Sequence, residues 1–156
     1  MTTGLSVTVR RARRSDVATI VAMLADDPLG SGRERLEDPL PPAYLKAFEA
    51  LERASHIKLV VAEGDGGIVV GCLQLCILPG LSSQGASRGL IEDVRVASHC
   101  RNHGIGERLV QWAIAEARAE DCRLIELLTH GTRTDAQRFY KRLGFQPSHV
   151  GMTLRF

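Results

Sequence analysis

A turn of small and polar residues is the part of the chain best suited to binding an anion. Residues 101–106 read Arg-Asn-His-Gly-Ile-Gly and lie between an apolar strand pattern and an amphipathic helix pattern. Because Gly104 and Gly106 carry no Cβ, a ligand can approach the backbone closely there. The first N–H groups of a helix lack intrahelical partners, and the helix dipole adds positive charge at that end. The turn therefore predicts a phosphate-binding site.

Tyr140 is the candidate proton donor. It lies on a predicted late helix, in the run Arg-Phe-Tyr-Lys-Arg-Leu-Gly-Phe at residues 138–145. A phenol with an ordinary pKa of about 10 is suited to giving a proton rather than taking one. The structural alternative is a core tyrosine, because Ala136, Phe139 and Leu143 share its helical face.

Glu92 is the candidate proton acceptor, with Asp93 as the second choice. Strand alternation places Glu92 on one face with Leu90, Val94 and Val96, and burial in that apolar row would make the carboxylate a stronger base. A bulge between Glu92 and Val94 would change this facing. An ion pair with a nearby arginine is the structural alternative for Glu92.

The secondary-structure elements that must hold these residues are predicted to be a mixture of helices and strands. Hydrophobic periodicity and turn residues predict the order β-α-α-β-β-β-α-β-α-β. The later elements are strands at 58–63 and 68–78 joined by a glycine-rich turn, a strand at 90–97, a helix at 104–120, a strand at 124–129, a helix at 134–143, and one or two strands in 147–156. A hairpin-built half followed by a strand-helix-strand half predicts an α+β fold with a mixed antiparallel and parallel sheet flanked by helices. The loops 26–42 and 78–89 should border the substrate side of the cleft.

The amino-acid composition excludes several classes of protein. The 156 residues fit one domain spanning 1–156, with 44% hydrophobic and 24% charged residues. A net charge of +2 is too mild for a nucleic-acid partner, and the basic cluster at 10–14 is read as a solvated surface. No apolar run reaches the roughly 18 residues that a membrane span requires. Four scattered cysteines predict a reduced, cytoplasmic protein, and neither they nor the histidines have zinc spacing, so no metal is expected.

Three motifs together resemble the GNAT superfamily of N-acetyltransferases. They are the strand Ile-Glu-Asp-Val-Arg-Val at 91–96, the turn at 101–106, which matches R-x-x-G-x-G, and the stretch at 139–145, which matches F-Y-x-x-x-G-F. The resemblance implies a GNAT acyl-CoA N-acyltransferase fold with acetyl-CoA as cosubstrate. It also implies that the pyrophosphate lies on the backbone of the turn, that the pantetheine arm pairs with the strand, and that Tyr140 hydrogen-bonds or protonates the CoA sulfur. The implied cofactor-binding residues are Val94, Arg95, Val96, Arg101, Asn102, His103, Gly104, Ile105 and Gly106.

Several alternatives stay open at the level of sequence. The acceptor is expected to be a primary amine of a small molecule. A protein lysine or an N-terminal amine is the alternative acceptor. The sequence is also compatible with a non-catalytic regulatory protein that binds CoA. His130 and His149 are further candidates for a substrate role. A dinucleotide-binding fold is disfavoured because position 109, where a third glycine would stand, is leucine. A homodimer is compatible with the apolar residues near the carboxyl end.

Overall fold

The spatial order of the strands follows their order along the chain. The computed structural model describes residues 6–156, and a five-stranded sheet runs through them. Its strands are β1 (Thr8–Arg11), β2 (Ile57–Glu63), β3 (Val69–Leu78), β4 (Arg88–Val96) and β5 (Leu124–Leu127). The main helices are α1 (Val17–Ala25), α2 (Pro42–Arg53), α3 (Ile105–Ala119) and α4 (Thr134–Arg142). The neighbouring pairs β1–β2, β2–β3 and β3–β4 are antiparallel, and β5 is parallel to β4, which confirms the predicted mixed sheet.

Helices cover both faces of the sheet and bury its alternating apolar residues. One face packs against α3, where Ile105, Leu109 and Val110 meet Leu73 and Leu75 of β3. The opposite face packs against α1 and α2. This two-sided burial explains why β2 and β3 read as nearly continuous apolar runs in the sequence.

A bulge interrupts β4 in the middle of its pairing with β3. Gln74 pairs with Glu92 and Cys72 pairs with Arg95, so three residue steps on β4 oppose two on β3. Asp93 is the extra residue, with a φ of +52°. Such a bulge locally redirects the side chains that follow it.

The bulge changes which residues share a face of the sheet. Val94 and Val96 pack into the core beneath α3, on the same side as buried Ile91. Glu92 points to the opposite side, where its side chain meets Gln74 and is exposed. The regular strand that would have put Glu92 in one apolar row with both valines is therefore not present, and the bulge between Glu92 and Val94, which was the alternative, determines the facing.

The carboxyl-terminal tail is the other departure from the predicted elements. Residues 147–156 contain no strand, although one or two were predicted there. The tail leaves alternate apolar side chains exposed, namely Val150, Met152, Leu154 and Phe156. Among residues 6–156, no helix is both long and apolar enough to cross a membrane.

Candidate active site

The site is a cleft that opens where β4 and β5 part. The two strands pair only as far as Ile91 and Leu127, so β4 continues beyond that point without a neighbour on this side. The resulting cleft has a volume of about 1170 Å³. Its lining combines the carboxyl half of β4, the turn before α3, the segment after β5, and α4. A cleft of this size accommodates an extended ligand.

The predicted phosphate-binding turn lies at one end of this cleft. Gly104 caps α3 with a φ of +77°, and Asn102 also has a positive φ, of +64°. The helix begins at Ile105, so its first N–H groups have no intrahelical acceptors and Gly104 is free to bring a ligand close. The His103 ring bonds the Arg101 carbonyl at 2.8 Å and is not part of the cleft lining.

The free edge of β4 forms one wall of the cleft. The Ala97 N–H donates to Val70 O on β3 at 2.9 Å. Because backbone groups alternate in direction along an antiparallel strand, Arg95 also turns its backbone toward β3, whereas Val94 and Val96 turn theirs toward the cleft. The N–H groups of the two valines are thus placed where an extended ligand can pair with them, while their carbonyls accept hydrogen bonds from Arg95 Nη1 at 2.9 Å and Arg101 Nε at 3.3 Å.

Tyr140 lines the cleft from α4. Its ring makes edge-to-face contacts with Phe139 and Phe145, with ring centroids 5.0 and 5.8 Å away. Burial raises the pKa of the Tyr140 phenol, while the guanidinium groups of Arg95 and Arg133 act in the opposite direction. The net raised pKa keeps the hydroxyl protonated at neutral pH, which is the form that can donate a proton.

Glu92 lines the same cleft from the bulged part of β4. Its carboxylate accepts a hydrogen bond from the Gln74 amide at 3.0 Å, and the Cys76 thiol lies 3.9 Å away. Asp93 also lines the cleft, and so does His130, whose ring nitrogen is 2.8 Å from the Thr132 hydroxyl. Each is thus open to a bound substrate.

A charged cluster beside Tyr140 was not predicted from the sequence. Asp27, which follows α1, forms ion pairs with Arg133 and with Arg95, the latter at 3.8 Å. These residues come from three distant segments, and no spacing pattern could have connected them. Arg95 was expected to act through its backbone, yet its side chain reaches the cleft.

Comparison with known proteins identifies the protein family to which this fold and cleft belong. The sequence profile of the Acetyltransferase (GNAT) family matches residues 20–145, and the chain belongs to that family. The protein is therefore an acyltransferase that uses acetyl-CoA to acetylate an amine.

Individual relatives cover nearly the whole chain. An aminoalkylphosphonate N-acetyltransferase from Salmonella typhimurium is 31% identical over 148 residues, which span 93% of this chain and 88% of that protein. The structure of a transcriptional regulator from Bacillus halodurans C-125 is 46% identical, with a TM-score of 0.94 over 97% of this chain and 100% of that one. An aminoglycoside N-acetyltransferase solved with CoA has a TM-score of 0.78 at 18% identity, covering 100% of this chain and 98% of its own, and shares the fold.

Proposed function

We propose that this protein transfers the acetyl group of acetyl-CoA directly to the primary amine of a small molecule. The observation that carries the proposal is the cleft itself, which joins the turn before α3 to Tyr140 and Glu92. An anion-binding end and a proton-transfer end in one continuous cleft suit a long phosphate-bearing cosubstrate whose reactive group lies far from its phosphates.

The cosubstrate would lie along β4. Its pyrophosphate would accept hydrogen bonds from the backbone of residues 101–106 at the start of α3, with Arg101 adding positive charge. The pantetheine arm would pair with the free edge at Val94 and Val96, with Arg95 between them. This placement directs the thioester toward the bulge, where a backbone N–H near Val94 can stabilise the developing oxyanion.

The chemistry is a direct acyl transfer. The neutral amine attacks the thioester carbonyl carbon, and collapse of the tetrahedral intermediate breaks the carbon–sulfur bond. Tyr140 gives its proton to the departing thiolate, and Glu92 takes the amine proton directly or through water. Both groups then exchange protons with solvent, which returns the phenol and the carboxylate to their starting forms.

The small-molecule acceptor is supported by two relatives. The Salmonella relative is named for an aminoalkylphosphonate, and the neighbour solved with CoA is named for aminoglycosides. The relative from Bacillus halodurans is described as a transcriptional regulator, which keeps a regulatory CoA-binding role as the second candidate. A protein amine as acceptor is the third.

Two further expectations belong with this proposal. Four free cysteines, three of them buried, support a reducing compartment such as the cytoplasm. The exposed apolar alternation of residues 150–156 beside the edge strand β5 supports a homodimer, since such a surface is ordinarily covered.

The proposal is tested by acetyl-CoA turnover. Free thiol release and the mass of the product are measured for a panel of small amines, lysine peptides and peptides with free N-termini, with CoA affinity measured by calorimetry. We expect a small amine to gain one acetyl group. Acetylation of peptides alone would contradict the small-molecule acceptor, and tight CoA binding without any turnover would favour the regulatory role.

A further inference from the structure

We propose that Arg95 and Arg133 form an anion-binding subsite that selects acceptor amines carrying a phosphonate or carboxylate group. The inference rests on the proposed function, because it assigns the acceptor end of the same cleft. Both side chains line the cleft, and both act on the Tyr140 phenol. An acid group held there would lie beside the reacting amine.

Arg95 has hydrogen-bonding capacity that the protein does not use. Its side chain is only 18% exposed, and its Nη1 donates to Val94 O at 2.9 Å. Its Nε is buried without an acceptor, and its Nη2 is 3.8 Å from Asp27 Oδ2, beyond hydrogen-bond distance. A guanidinium has five N–H donors, and leaving them buried and unpaired is costly. An anion that draws this side chain into full hydrogen bonding would relieve that cost.

Arg133 brings a second positive charge to the same point. It pairs with the same Asp27 oxygen from the loop before α4, with its side chain 31% exposed. Two guanidinium groups therefore share one carboxylate that is itself 11% exposed. Two guanidinium charges against one carboxylate leave this cluster one positive charge in excess. A phosphonate or a carboxylate has the charge and the oxygen geometry to balance it.

The cluster belongs to the part of the cleft that holds Tyr140. Two other arginines that line the cleft have carboxylate partners of their own, since Arg101 pairs with Asp26 and Arg138 with Asp135. Arg95 and Arg133 lie near Tyr140, where the thioester sulfur is expected. They are thus placed for an anion on the acceptor. The Salmonella relative is named for a substrate with this chemistry, an amine joined to a phosphonate.

The test compares amines of matched length. Turnover is measured with 2-aminoethylphosphonate, 3-aminopropanoate and 2-aminoethanol for the parent protein and for the variants Arg95→Met and Arg133→Gln. The control variant is Arg118→Gln, an exposed arginine on α3 outside the cleft lining. Binding of 2-aminoethylphosphonate to the CoA-loaded protein is also measured by calorimetry, so that the subsite is tested even without turnover. Thermal unfolding shows whether each variant is folded. If Arg95→Met does not fold, Arg133→Gln still tests the subsite, because Arg133 is the more exposed of the two arginines.

The expected result is a preference of the parent for the acid-bearing amines, which falls about 10- to 100-fold in each arginine variant but not in the control. The dissociation constant for CoA should stay unchanged in Arg133→Gln and in the control. Preference for the phosphonate over the carboxylate, or the reverse, identifies the anion. Equal use of 2-aminoethanol by the parent, or weakened CoA binding in both arginine variants, would overturn the proposal. Failure of CoA to bind the parent would instead overturn the proposed function.

Discussion

At Gly104 the backbone adopts a conformation that side chains with a Cβ rarely accept. Its φ is +77°, and nothing lies within 4 Å of the place where a Cβ would stand. Gly104→Val should strain the turn by about 1–2 kcal/mol and place a branched side chain where the pyrophosphate is expected. We predict that the dissociation constant for CoA rises about 5- to 30-fold, measured by calorimetry.

The matched control for this prediction is Gly32→Ala. Gly32 also has open space at its Cβ position but no left-handed φ, and it lies outside the cleft lining. CoA affinity in this variant should match the parent. Unchanged affinity in the Gly104 variant would show that the turn does not hold the phosphates.

At the scale of elements, one carboxylate connects β1 to the start of α1. Asp16 is 6% exposed and accepts hydrogen bonds from the Arg10 guanidinium at 2.8 Å and the Arg13 N–H at 2.7 Å. Arg10 also bonds Glu63 on β2 at 2.6 Å. Asp16→Asn should lower the free energy of unfolding by about 1–3 kcal/mol, because the Arg10 guanidinium loses one of its two charged partners and the buried site loses a charge-assisted hydrogen bond. Urea unfolding at neutral pH measures this change.

The same carboxylate gives the fold an acid-sensitive component. Burial alone would raise the pKa of Asp16, but the hydrogen bonds from Arg10 and Arg13 outweigh it and leave the pKa below its ordinary 3.8. The stabilisation is therefore present above the unfolded value and is lost as the pH falls through the folded value. Stability of the parent should drop more steeply below pH 3.8 than that of Asp16→Asn. Glu49→Gln, which breaks an exposed pair with Arg14, is the control and should change stability by less than about 0.5 kcal/mol.

At the scale of the whole molecule, the carboxyl-terminal tail lies beside the end of the edge strand β5. Leu128 after β5 is 75% exposed, and the tail lies against it at Gly151. Burying the exposed apolar residues of the tail would be worth about 25 cal/mol for each Å² removed from water. We predict a dimer by light scattering, and a monomer when Met152 and Leu154 are both replaced by glutamate. Replacing the exposed Ile68, in the β2–β3 turn, by glutamate is the control and should leave the dimer intact.

The features of the fold and site that the sequence predicts are those determined by local residue patterns. The β2–β3 hairpin, the turn before α3 and the position of Tyr140 depend on residues close together in the chain, and the structure has each of them. The facing of Glu92 depended on a single extra residue in β4, which alternation alone does not reveal. The ion pair between Asp27 and Arg133 joins residues 106 positions apart, so only the folded chain brings it into view. One or two strands were predicted in residues 147–156, but within residues 6–156 no strand pairs with this tail.

The variant Tyr140→Phe tests the proposal that Tyr140 protonates the thiolate leaving acetyl-CoA. Phenylalanine keeps the ring contacts with Phe139 and Phe145 and removes only the hydroxyl. With the amine that the parent turns over best, kcat from thiol release should fall about 100-fold or more, while the dissociation constant for CoA stays within about threefold of the parent. An unchanged kcat would contradict the assignment and show that water or another group supplies the proton.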